Sequence, residues 1–129
     1  MTKRHKINTV VIVEDDIDNR KFLSRLISLE GLVTFETENG DIGLELVRRH
    51  KTALVLLDLT LSKHDGWSVL REIKQAPELN GIPVIVFTAL AEAEYRQKAL
   101  SMGADAYLVK PISADDLGEA VAHILHHNK

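Results

Sequence analysis

Four short apolar runs in this 129-residue chain each stop at residues that carry charge or a hydroxyl. Thr9 to Val13 leads into Glu14, Asp15 and Asp16, and Ala53 to Leu57 into Asp58. Val84 to Phe87 leads into Thr88 and Ala89, and Ala106 to Val109 into Lys110 and Pro111. A single acid past an apolar run is ordinarily a helix cap or a turn former. An acid pair, a lone acid, a hydroxyl and a lysine on four separate run ends are better explained by chemistry. If Glu14, Asp15 and Asp58 converge, they repel. Two unit charges about 4 Å apart cost on the order of 4 kcal/mol at an effective dielectric near 20, so the three carboxylates need a cation. These ends offer oxygen ligands and neither histidine nor cysteine. The expected ion is therefore hard, Mg²⁺ or Mn²⁺ in its place, and Lys110 supplies a further positive charge.

The elements that must position these groups can be read from periodicity. Runs that are apolar on both faces predict central strands of a parallel sheet, and this covers Thr9 to Val13, Ala53 to Leu57, Val84 to Phe87 and Ala106 to Val109. Val33 to Thr37 alternates instead, which suits a strand at or near an edge. Helical stripes lie between the runs. Phe22, Leu23, Leu26, Ile27 and Leu29 mark the first, closed by Gly31, and Ile42, Leu46 and Val47 the second. Val69, Leu70 and Ile73 mark the third, ended before Pro77, and about Glu92 to Ser101 the fourth, closed by Gly103. In the fifth, Ser113 and Asp116 resemble a capping box ahead of Leu117, Val121, Ile124 and Leu125. Strand and helix alternating five times predict an α/β, doubly wound parallel sheet with right-handed crossovers. In such sheets ligands bind beyond the carboxyl ends of the strands, where the strand order reverses.

Composition excludes several classes. The length allows one domain, 1–129 with a core of about 9–127. With no cysteine, disulfides and zinc–thiolate sites are absent. A net charge of −3 is the wrong sign for affinity built on neutralising phosphates, so no direct nucleic-acid binding is expected. No apolar run approaches the roughly 20 residues that span a bilayer. Met1 to Lys6 is basic without the apolar stretch of a secretory signal, so a cytoplasmic location without membrane contact is expected.

With these residues in hand, the chain resembles the receiver domains of two-component response regulators, of the stand-alone type, from about Thr9 to Leu125. The motifs that carry the likeness are Val13-Glu14-Asp15-Asp16, Leu57-Asp58 followed by Asp65-Gly66, Phe87-Thr88-Ala89 and Tyr107-Leu108-Val109-Lys110-Pro111. The resemblance implies a flavodoxin-like, five-stranded parallel sheet of order 2-1-3-4-5 with five helices. It implies Asp58 as phosphoacceptor, Asp15 as a direct Mg²⁺ ligand, Glu14 as a ligand mainly through water and Thr60 as a ligand through its backbone carbonyl. Thr88 would be the switch hydroxyl, Tyr107 the switch aromatic, and Lys110 the phosphoryl contact behind a cis bond to Pro111. Phosphorylation would reshape the face of the fourth helix, fifth strand and fifth helix for protein–protein signalling.

The residue types suit that chemistry. A carboxylate can attack phosphorus, and the protein then positions and neutralises. Ala89 is small and leaves a path for the donor, which the resemblance makes a phosphohistidine on a sensor histidine kinase or a histidine phosphotransfer protein. The chain would signal to a downstream protein target as a monomer or a phosphorylation-dependent dimer. It would promote only its own phosphorylation and dephosphorylation, so it is not an enzyme in the usual sense.

Ser62 and His64 depart from the residues usual after the phosphoacceptor. Leu90 and Thr60 occupy the positions that modulate water attack, and because Leu90 cannot orient water, slow autodephosphorylation is expected. His123, His126 and His127 suit a helix C-terminus better than a metal, and His64 reads as a loop histidine. Trp67 reads as a packing residue. Asp18, Asn19 and Arg20 open the first helix, as a solvated cap or as the kinase-facing surface. A phosphatase of the haloacid dehalogenase type is the enzyme alternative, but it needs a second acid two residues after the nucleophile, where Thr60 stands. A receiver-like scaffold that is never phosphorylated is the other, yet Asp58, Thr88 and Lys110 are all present. Too little sequence follows the fifth helix for a DNA-binding domain, and Met1 suggests an intact chain.

Overall fold

The computed structural model describes residues 7–61 and 65–127, the last by its backbone alone. The expectations placed on Met1 to Lys6, Ser62, His64 and the His127 side chain lie outside the described residues. Five strands, β1 (Thr9–Val13), β2 (Val33–Thr37), β3 (Thr52–Leu57), β4 (Val84–Thr88) and β5 (Ala106–Val109), alternate with five helices. These are α1 (Ile17–Leu29), α2 (Gly40–Arg49), α3 (Gly66–Gln75), α4 (Ala93–Ser101) and α5 (Ala114–His127). All strand pairs are parallel, in the order β2-β1-β3-β4-β5. The order reverses at β1, whose carboxyl end therefore borders the crevice where this architecture binds ligands.

The apolar runs are continuous because each inner strand is covered twice. Val11, Val13, Val55, Leu57, Val84 and Val86 face Leu44 and Val47 of α2, Val69, Leu70 and Ile73 of α3, and Ala99 of α4. Val10, Ile12, Leu54, Leu56, Ile85 and Phe87 face Leu23 and Ile27 of α1 and Leu117, Val121 and Ile124 of α5. Burying each such side chain stabilises the fold by about 1.5–3 kcal/mol. The backbone of β1, β3 and β4 is therefore a rigid platform, and the residues just past each strand inherit its position.

Three sequence expectations are corrected. Ala106–Val109, read from periodicity as a central strand, is an edge strand, as the order 2-1-3-4-5 implied: among the described residues it pairs with β4 alone, and Val109 is 38% exposed. Its apolar residues are explained by packing beneath α4 and α5. In α1 the stripe is narrower than expected, for Leu23 and Ile27 are buried while Phe22 and Leu29 are exposed. Ile42 of α2 is likewise exposed, leaving Leu44 and Val47 as that helix's buried pair.

The caps follow local chemistry. Asp16 caps α1 by accepting from the Asn19 N–H, and Asn39 caps α2 by accepting from Asp41 and Ile42. Ser113 Oγ accepts from the Asp116 N–H, which supplies half of the expected capping box. Gly31 (φ 81°) and Gly103 (φ 110°) take the left-handed conformation that ends α1 and α4. Among the described residues no helix is long and apolar enough to cross a membrane.

Candidate functional site

The ends of β1 and β3 are joined by a hydrogen bond from the Asp58 N–H to the Val13 carbonyl, 3.0 Å. This places Asp58 directly beside Glu14 and Asp15. Among the described residues, Glu14, Asp15 and Asp58 form the cluster with metal-ligand spacing, each offering a carboxylate oxygen within 4.8 Å of the others. Glu14 is 0% exposed and Asp58 1%. Buried carboxylates at this spacing require compensation.

Part of that compensation is Lys110. It follows β5, and its N–H donates to the Thr88 carbonyl at 2.8 Å, so the register of β4 and β5 aims it at the cluster. Its Nζ donates to Glu14 Oε1 at 2.6 Å and to Asp58 Oδ2 at 2.7 Å, and it lies 5.4 Å from the centre of the Phe87 ring. The Lys110–Pro111 bond is cis, as expected. Burial pulls the Lys110 pKa down, but the hydrogen bonds to Asp58 and Glu14 outweigh it and leave the ammonium above its usual value. Burial raises the Glu14 pKa, and the bonds from Lys110 and from the Asp16 N–H reduce that rise without cancelling it. One ammonium among three carboxylates leaves the site anionic, and its donors are all oxygens, which suits a hard divalent cation.

The other oxygen of Asp58, Oδ1, accepts from the Thr60 N–H and from Thr60 Oγ1, both at 3.0 Å. The segment carrying Asp58 is held from below by α3. A β-carbon on Gly66 would lie 2.5 Å from Leu59 Cα and 2.7 Å from the Leu59 carbonyl oxygen. Only glycine lets the start of α3 come this close to the Asp58–Leu59 backbone, which accounts for the Asp65-Gly66 motif. Gly66→Ala is expected to displace that backbone and lower stability by about 1–3 kcal/mol. Thermal unfolding checks the loss, and an unchanged melting temperature would show that the approach does not matter.

Thr88 is buried, and its Oγ1 accepts from the Leu90 N–H at 3.3 Å. The Leu90 carbonyl in turn accepts from the Tyr107 hydroxyl at 2.6 Å. Thr88 and Tyr107 thus hold the same loop between β4 and α4. Tyr107 is 5% exposed, and burial raises its pKa. Ala89 is exposed beside Thr88. Trp67 is partly buried at the start of α3, 6.4 Å from Tyr95 and with Lys98 Nζ 4.4 Å from its ring centre. A cleft of about 440 Å³, lined by Asn19, Phe22, Leu23, Phe87, Lys110, Pro111 and Ile112, opens beside the lysine.

The structure brings together Glu14, Asp15, Asp58, Thr60 and Lys110 by contact or carboxylate spacing, with Thr88 and Ala89 at the end of β4 and Tyr107 within β5. His123 and His126 are on α5, away from this crevice. Arg20 corrects its sequence reading. Its side chain is 11% exposed, not solvated, and its Nη1 donates to the Glu14 carbonyl at 2.8 Å. One local signal was available: a cation in the first turn of a helix opposes the helix dipole, so a partner elsewhere was to be expected.

A doubly wound sheet of order 2-1-3-4-5, with buried carboxylates at its switch point and a lysine bridging two of them, is of the flavodoxin-like class. Residues 10–122 match the response regulator receiver domain, and the chain belongs to that family, whose members are signalling modules of two-component systems and not classical enzymes. It is 38% identical over 116 residues to the "Probable transcriptional regulatory protein SilR" of Salmonella typhimurium, covering 90% of this chain and 50% of SilR. It is 37% identical to the polar-differentiation response regulator DivK of Brucella anthropi, covering 91% and 95%. The receiver domain of the Francisella response regulator 1452 superposes with a TM-score of 0.87 at 26% identity, covering 95% of this chain and 99% of that one. The chain thus spans about half the length of SilR and nearly all of DivK.

Proposed function

We propose that this chain is a phosphorelay receiver whose Asp58 accepts a phosphoryl group from a phosphohistidine. The observation that carries this reading is Lys110 bonded at once to Glu14 and Asp58, in a carboxylate cluster that Asp15 completes. An Asp58 oxygen forms the new bond to phosphorus as the donor's N–P bond breaks, and the leaving imidazole keeps the electron pair. Lys110 offers its charge to the incoming phosphoryl oxygens, and the exposed, small Ala89 leaves them a path. Glu14, Asp15, Asp58 and the Thr60 carbonyl would hold Mg²⁺ or Mn²⁺. Such an ion would supply positive charge that offsets the negative charge of the carboxylates and the phosphoryl oxygens.

Phosphorylation would replace one carboxylate charge with roughly −1.5 to −2 and add acceptor oxygens. Thr88 turns to one of these, releasing its hold on the Leu90 N–H. Because the Leu90 carbonyl also anchors the Tyr107 hydroxyl, the change is passed to Tyr107 and to the α4-β5-α5 face. That is a two-state equilibrium biased by local charge. The donor is a sensor histidine kinase or a histidine phosphotransfer protein, for which the cleft beside Lys110 and the exposed Ile17 and Phe22 offer a docking surface. The output is a downstream protein target, reached as a monomer or as a phosphorylation-dependent dimer. The reading takes 1–129 as one receiver domain, acting in the cytoplasm without direct contact with nucleic acid or membrane.

Acetyl phosphate with Mg²⁺ tests the chemistry. Intact mass is expected to rise by one phosphoryl group, Trp67 fluorescence to change, and both to be blocked by EDTA. No gain in mass would overturn the reading. Since Leu90 cannot orient water, the phosphorylated protein is expected to persist well beyond seconds in Mg²⁺ buffer. A half-life of seconds contradicts that role for Leu90.

A further inference from the structure

Arg20 lies in the first turn of α1, where the helix dipole disfavours a cation, yet its side chain is only 11% exposed. Its partners lie in two other segments. Nη1 donates to the Glu14 carbonyl at 2.8 Å, and Nε donates to Glu36 Oε1 of β2 at 3.3 Å. Glu36 is itself held by Lys21 Nζ at 3.1 Å. Burial raises the Glu36 pKa, but Lys21, Ser24 and Arg20 together outweigh it and favour the ionised form. The Glu14 N–H donates to the Thr37 carbonyl of β2 at 3.0 Å, so β2 holds Glu14 on one side directly and on the other through Arg20. The Glu14 carbonyl belongs to the peptide that joins Glu14 to Asp15. Rotation of that peptide would swing both carboxylates.

We infer that Arg20, anchored on Glu36, is a positioning residue for the divalent cation: it locks the Glu14–Asp15 peptide so that both carboxylates converge with Asp58. The inference rests on the proposed metal site and adds to it a residue that is not a ligand. Guanidinium suits the task because its rigid, planar fork fixes the directions of its two acceptors relative to each other, whereas an ammonium on a flexible stem does not. Two consequences of removing Arg20 have opposite signs. A lost cation near the site strengthens attraction of Mg²⁺, whereas a loosened peptide weakens it. Outer partners that orient metal ligands are commonly worth roughly 10–100-fold in affinity, so loosening should prevail.

The test is Mg²⁺ affinity, by Trp67 fluorescence and calorimetry, for wild type, Arg20→Gln, Arg20→Lys, Glu36→Gln and Asp15→Asn, with melting temperatures measured without the ion. Arg20→Gln is expected to weaken Mg²⁺ binding roughly tenfold. Arg20→Lys should recover part of the loss, and Glu36→Gln should weaken binding less but in the same direction. Arg20→Gln that binds Mg²⁺ as tightly as wild type, or more tightly, overturns the inference. Should Arg20→Gln fail to unfold cooperatively, Glu36→Gln carries the decision, and unchanged affinity there overturns it equally. Asp15→Asn separates the two levels. If it loses Mg²⁺ while both Arg20→Gln and Glu36→Gln keep it, only the positioning role fails. If wild type binds none, or Asp15→Asn binds as wild type does, the metal reading fails and takes the inference with it.

Discussion

Asp58→Asn is expected to take up no phosphoryl group from acetyl phosphate or from a phosphohistidine donor, under conditions that label wild type fully. The amide keeps the shape of the side chain and can still accept from Thr60, but it removes the charge and with it the nucleophile. Deleting the attacking group of a covalent step costs on the order of a thousandfold or more, well outside assay error. Folding should survive the change. Asp58 is one of three carboxylates within 4.8 Å, so its neutralisation relieves repulsion, and the melting temperature without Mg²⁺ is expected to hold or rise. Intact mass and thermal unfolding on the same samples check both halves. Phosphate retained at full yield on Asp58→Asn would mean that another residue is the acceptor.

Lys110→Met is expected to lower stability in a pH-dependent way, because it leaves Glu14 and Asp58 buried without their shared cation. Two unit charges at 4.8 Å, the limit of their separation, repel by about 3 kcal/mol at an effective dielectric near 20. Removing one partner of a buried ion pair costs about 3–5 kcal/mol. Lys110 keeps 22% of its side chain exposed, so water screens part of this, and about 2 kcal/mol is the expected loss at neutral pH. That corresponds to a melting temperature lower by roughly 6–10 °C. The deficit should depend on pH in a stated direction. A buried acid whose folded pKa is raised costs nothing below its unfolded value of 4.5 and its full cost above the folded value. The gap between variant and wild type, measured without metal, should therefore narrow as pH falls toward 4.5. Mg²⁺ should narrow it at neutral pH by supplying the missing charge. A deficit that is constant across pH and insensitive to Mg²⁺ would mean that Lys110 acts through packing alone.

The sheet and its strand ends were legible because they rest on periodicity. A strand buried on both faces must be apolar at every position, and a polar residue can appear only where the strand emerges from its cover. Val13-Glu14 and Leu57-Asp58 are such boundaries, so fold class and acidic site could be read together. The edge position of β5 was not legible from periodicity, since a strand packed under helices at an edge is as apolar as an inner one; only the family resemblance, through its strand order, implied it. Nor was the partner of Arg20: the helix dipole signals that this cation pairs elsewhere, but an arginine at the start of a helix is written identically whether it reaches a neighbouring side chain or folds back onto a carbonyl.

The sequence alone determined which groups stand at the strand ends, and hence that carboxylates, a hydroxyl and a lysine must share one rim of an α/β sheet. Only the tertiary structure decided how they pair: that Lys110 serves Glu14 and Asp58 equally closely, that Gly66 seats α3 against the backbone of Asp58 and Leu59, and that Arg20 grips the Glu14 carbonyl while anchored on β2. The physical reason is range. Periodicity and end residues are local properties of the chain, whereas a contact such as that of Lys110 with Glu14 joins residues 96 positions apart and exists only once the sheet has set the register between them.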